Sequence, residues 1–113
     1  DSVQSTADEM LAECETDAIG LWVILGRLAS SGVAAAMIRD ATLSVIRRLL
    51  LSGRVVVGQY AERGFVRWEL APDESVQRVS EEWRSLGRDP IPGEICWMLG
   101  RELHSRQHTE SQS

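Results

Sequence analysis

The sequence predicts an α+β domain, mostly helical, with one β-hairpin at about 54–58 and 65–70 and additional C-terminal helices. Three stretches carry that expectation. The amphipathic run from Ala41 to Leu51 halts at Ser52–Gly53 and passes directly into the β-branched segment Arg54–Gly58. Phe65–Leu70 then alternates in the manner of a half-buried strand. Apolar residues at helical spacing recur before and after this block. At 113 residues, one domain is the expected count, covering 1–104, with a polar tail over 105–113 expected to be disordered.

The elements follow in order. Thr6 and Glu9 fit a capping box, and the acids around them suit the positive end of a helix dipole. Leu11, Cys14, Ala18, Trp22, Leu25 and Ala29 continue at helical spacing until Ser30–Gly32 ends the helix. Around Leu21–Leu25 this helix is apolar on nearly every side, as suits central packing or a second face given to a partner. Val33–Arg39 reads as a short helix, broken from the next at Asp40 or bent into it. Leu43, Ile46 and Leu50 form the stripe of the third helix, with Val45 and Leu49 beside it and Arg47 and Arg48 in solvent. Gly53 supplies the left-handed residue after the helix end. Val55–Val57 and Phe65–Leu70 are the hairpin strands, with Val66, Trp68 and Leu70 on one face and a long Gly58–Gly64 loop between. Pro72, Asp73 and Glu74 open a helix whose stripe is Val76, Val79, Trp83 and Leu86, closed by Gly87. Two prolines make Arg88–Gly93 a non-helical connection. A last helix is expected over about Glu94–Leu103, carrying Ile95, Met98 and Leu99.

The net charge is −5, and its distribution is uneven. Residues 1–17 hold six acids and no base, whereas residues 18–68 hold seven arginines against Asp40 and Glu62. All twelve basic residues are arginine, a bias that a GC-rich genome explains. The basic block favours nucleic acid as a partner; the acidic total opposes its approach. No apolar run reaches the ~18 residues of a membrane span, and no basic leader precedes Ala18–Gly26. A cytoplasmic protein that makes no use of a membrane is expected. Cys14 and Cys96 belong to no Cys-x-x-Cys pair and are expected to be reduced, buried thiols.

Residues suited to chemistry are sparse. His104 and His108 lie four apart with Glu102 and Glu110 nearby, but in a polar tail that offers no rigid support, so no metal is expected. No phosphate-cradling glycine loop and no nucleophile–histidine arrangement stands out, and neither an enzyme nor a cofactor is expected. For nucleic acid the candidates are Arg39, Arg47 and Arg48 on the helical pair and Arg54, Arg63 and Arg67 on the hairpin. Thr42, Ser44, Arg47 and Arg48 suit phosphates better than base edges. Trp22, Trp68 and Trp83 fall on apolar stripes. Trp97, after the rigid Asp89–Glu94 connection, is the candidate anchor of a protein interface, with core packing as its alternative.

Ala18–Leu70 resembles the winged helix-turn-helix superfamily. The matching parts are a first helix (AIGLWVILGRLA), a short second (VAAAMIRD), a third (ATLSVIRRLLLSG) and a wing (RVVVGQYAERGFVRWEL). The resemblance covers about half the chain. It implies either a protein-docking module or a DNA-binding regulator that uses the third helix and wing. With its acidic total, its weak base-reading helix and its helices after Pro72, the chain is expected to be a non-enzymatic partner protein. It would bind another protein or itself, as a regulatory or neutralising component of a bacterial system.

Overall fold

A computed structural model describes residues 2–112, with side chains through 106. The elements run α1 (Ser2–Cys14), β1 (Ile19–Gly20), α2 (Leu21–Ser30), a 3₁₀ turn at Ala35–Met37, and α3 (Ile38–Leu51). They continue through β2 (Val55–Ala61), β3 (Gly64–Arg67), α4 (Pro72–Leu86), β4 (Trp97–Gly100) and α5 (Arg101–Gln112). The strands form one antiparallel sheet in the order β1-β4-β2-β3. The fold is therefore α+β, as the sequence predicts.

Helix α3 is the hub. It packs against α1, α2 and α4, which buries Ile38, Val45, Ile46 and Leu49 and leaves Arg47 and Arg48 exposed. Thr42 is also fully buried, and its hydroxyl donates to the Ile38 carbonyl at 2.7 Å, so no polar group is stranded there. One sheet face, with Ile19, Val55, Val57 and Met98, joins this helical core. On the opposite face Val56 and Leu99 stand side by side and are buried where α5 crosses β2 and β4. Helix α4 opens as expected: Pro72 is in its first turn, the Glu74 carboxylate accepts from the Ala71 amide at 2.9 Å, and Gly87 ends it at φ 69°.

The first helix expected from Thr6 to Ser30 is two helices with a strand between them. Its start moves to Ser2, so Thr6 lies inside α1, buried, rather than capping it. The polar residues Glu15–Asp17 end α1, and Gly20, extended at φ −92° and ψ 163°, precedes α2. The freed backbone pairs with β4, and the Leu21 amide donates to the Cys96 carbonyl at 3.2 Å.

The helix expected over 94–103 is instead strand β4 followed by α5. The spacing of Ile95, Met98 and Leu99 fits a helix face, but β2 offers a paired position that buries Met98 on one face and Leu99 on the other. The long loop expected between the hairpin strands is a tight turn. β2 runs on to Ala61, opposite Gly64, leaving Glu62–Arg63 at the tip and Gly64 at φ 111°. Val66 and Trp68 share a face as expected. Only Trp68 is covered: Arg78 of α4 stacks on its ring at 4.0 Å, whereas Val66 is exposed. Helix α5 runs on through residues 105–112, where the sequence leads one to expect a disordered tail; side chains are described through 106, and Ser113 lies outside the described residues.

Candidate functional site

The six candidate arginines do not share one surface. Arg39 stands in the first turn of α3, beside a shallow cleft of about 510 Å³ whose rim also holds Asp40, Arg84, Arg88 and Asp89. Arg47 is held by Asp73 at the start of α4, at 2.7 Å. The Arg48 guanidinium donates to the Gln4 side-chain oxygen of α1, and Arg54 is paired with Glu15. Arg63 is at the hairpin tip and Arg67 ends β3; both are exposed. Among the described residues, no ion pair engages Arg39, Arg63 or Arg67. Half of the proposed basic face is thus turned onto polar groups of α1 and α4.

Around Arg54 the fold assembles a second basic group that sequence reasoning missed. Arg101 and Arg106 of α5 line a cleft of about 590 Å³ with Arg54, Glu15 and Glu102. The Arg101 amide donates to the Arg54 carbonyl, and its Nε to the Gly53 carbonyl, each at 2.8 Å. Only the pairing of β4 with β2 brings these residues together, so the sequence carried no signal of it.

Trp97 is half-buried and belongs to an aromatic strip on the outer face of the sheet. Its indole meets Trp22 edge-on at 4.7 Å between centroids and Tyr60 at 5.1 Å. Tyr60 meets Phe65 at 5.6 Å, and Phe65 meets His104 at 5.5 Å. These T-shaped contacts set the positive edge of one ring against the negative face of the next. Trp22, expected in the core, is half-buried at one end of the strip, and Tyr60 is 48% exposed. Burial and the nearby Asp17 carboxylate push the Tyr60 hydroxyl pKa up.

Gly20 makes room for the strip, and Gly58 for the backbone of the neighbouring strand. In register, Trp97 lies between Gly20 of β1 and Gly58 of β2. A Cβ on Gly20 would fall 2.0 Å from the Trp22 ring. One on Gly58 would fall 2.1 Å from the Val66 carbonyl oxygen. Trp97, Tyr60 and Trp22 are far apart in sequence, and the alternation at Phe65–Leu70 marks Phe65 only as a strand residue. The strip becomes visible only once β4 is known to be a strand.

The connection into β4 is clamped. Arg88 grips both carboxylate oxygens of Glu94 at 2.7 and 2.8 Å, and Glu94 Oε1 accepts the Ile91 amide at 2.8 Å. The Arg88 guanidinium, and next the Ile91 amide, hold the Glu94 carboxyl down at a pKa of about 2. Ile95 follows at φ 67°, a strained position for a β-branched residue. Cys14 and Cys96 are free and buried, and burial pushes each thiol up to about 12. No group of three or more metal-binding side chains occurs among the described residues. His108 and Glu110 lie outside those described with side chains. Among the described residues, no helix is long and apolar enough to cross a membrane.

Fold and surface together define a small α+β domain with an aromatic strip on the face of its sheet that α5 partly covers. Comparison of the chain with protein-family models, with curated proteins and with solved structures finds no match in any of the three.

Proposed function

We propose that this chain is a non-enzymatic module of winged-helix type that acts by binding another protein. The aromatic strip Trp22–Trp97–Tyr60–Phe65 is its docking face. The observation that carries this reading is the strip itself: four rings in edge-to-face contact, half in solvent, beside a clamped loop and with Gly20 leaving room for the Trp22 ring. Rigid aromatic groups that lose little entropy on contact are the usual anchors of protein interfaces. Passage of α3 directly into the hairpin supports the winged-helix description. A cytoplasmic setting fits the two buried reduced thiols.

The test uses the intact chain as bait in a lysate of its own organism. A stoichiometric partner should be retained by the wild type and by an Arg47→Ala/Arg48→Ala/Arg63→Ala variant, and lost by Tyr60→Ser. Retention by Tyr60→Ser would refute the docking face.

A second reading, a DNA-binding regulator, is favoured by exposed Arg39, Arg63 and Arg67 on α3 and the hairpin. It requires affinity for mixed-sequence duplex that falls steeply with salt and disappears in an Arg39→Ala/Arg63→Ala/Arg67→Ala variant. Absence of binding at low salt removes it.

A further inference from the structure

We propose that two copies of this chain pair through the free edge of β3, by antiparallel addition about a two-fold axis at Val66. This inference does not rest on the docking reading: it uses the free edge of the sheet and shares only Phe65 with the aromatic strip.

β3 is an edge strand. The Trp68 amide donates to the Val57 carbonyl at 2.9 Å, which fixes the pattern of hydrogen bonds along the ladder. Gly64, Val66 and Trp68 turn their main-chain groups toward β2. Phe65 and Arg67 therefore turn theirs outward, where an unpaired edge is a template for another strand.

The side chains say which strand fits. With Val66 opposite Val66 of the second copy, Phe65 falls opposite Arg67 of that copy, and the outward amides and carbonyls of these two residues exchange hydrogen bonds. Just beyond the paired strand, the same arrangement brings the turn residue Arg63 near Glu69 of the second copy. The exposed side chains then meet complements: valine on valine, guanidinium beside a phenyl ring, and arginine near glutamate, with Gly64 opposite the covered Trp68 between them. Symmetry repeats each pair, as a closed two-fold interface requires. The groups used are available. Val66 is 54% exposed, and Arg63, Arg67 and Glu69 are exposed without an ion pair among the described residues. An unrelated strand would have to reproduce this alternation of charge, whereas a second copy supplies it by identity.

The purified chain is tested by sedimentation from low to high micromolar concentration. A concentration-dependent dimer is expected. Arg63→Glu and Glu69→Arg should each weaken it roughly tenfold or more by bringing like charges together. The combined swap Arg63→Glu/Glu69→Arg should restore it. Independently, Val66→Cys should crosslink copy to copy on oxidation, because directly opposed residues of this kind lie about 4.5 Å apart at Cα, within disulfide range. The native thiols are buried and should not compete. A monomer at every concentration overturns the proposal, and so does a dimer that ignores the charge swap and fails to crosslink at Val66.

Discussion

Gly58 is the residue at which the sheet has least tolerance. A Cβ there meets the Val66 carbonyl carbon and oxygen, which belong to the backbone and cannot swing aside. Gly58→Ala should cost about 2–3 kcal/mol, a magnitude associated with backbone strain in a packed element, measurable as a lowered urea midpoint. Trp97→Ala removes two edge-to-face contacts from a half-buried ring and should cost about 2 kcal/mol, less than the ~3–5 of a fully buried tryptophan. The domain should stay folded, with its far-ultraviolet dichroism unchanged. Arg47→Ala gives up only an exposed ion pair with Asp73 and should change stability by less than about 1 kcal/mol. Such a small change would make the arginine variants fair controls in binding experiments.

At the scale of elements, the clamp between α4 and β4 gives stability a pH dependence. Glu94 has a carboxyl pKa of about 2 in the folded chain against an ordinary 4.5. A depressed carboxylate stabilises the fold fully above its unfolded value, and that contribution is lost as pH falls from about 4.5 toward about 2. Denaturation midpoints across that window should fall less steeply in Glu94→Gln than in the wild type. An equal fall in both would show that the clamp contributes nothing. The elements differed in how far they could be read from sequence, and for physical reasons. α3, the hairpin and α4 were legible because their signals are local: an apolar stripe, β-branched runs, Pro72 at a start and Gly87 at an end. β1 and β4 were not. Ile19–Gly20 and Trp97–Gly100 are strands only because each pairs with the other, and β4 with β2, across many residues of chain. Local spacing there favoured helix, and tertiary pairing overrode it.

For the whole molecule, the same pairing decides what kind of surface is on offer. The arginines of the candidate nucleic-acid face are divided: Arg47, Arg48 and Arg54 turn to α4, α1 and Glu15 just after α1, while Arg39, Arg63 and Arg67 stay in solvent with no ion pair among the described residues. Trp97 was legible as a possible anchor from its place after two prolines, but its neighbours Trp22, Tyr60 and Phe65 were not, since the sheet alone assembles them. Net charge argues in the same direction. At −5, the chain should show little affinity for mixed-sequence duplex even at low ionic strength, as a titration followed by anisotropy would register. The docking face itself is best located by amide hydrogen exchange on the complex captured with the wild-type chain. Protection gained on binding is expected at Ile19–Trp22, Gly58–Tyr60, Phe65 and Trp97, with α3 unchanged. Protection centred instead on α3 and the Glu62–Arg63 tip, with the aromatic strip still exchanging freely, would contradict the assignment of that face.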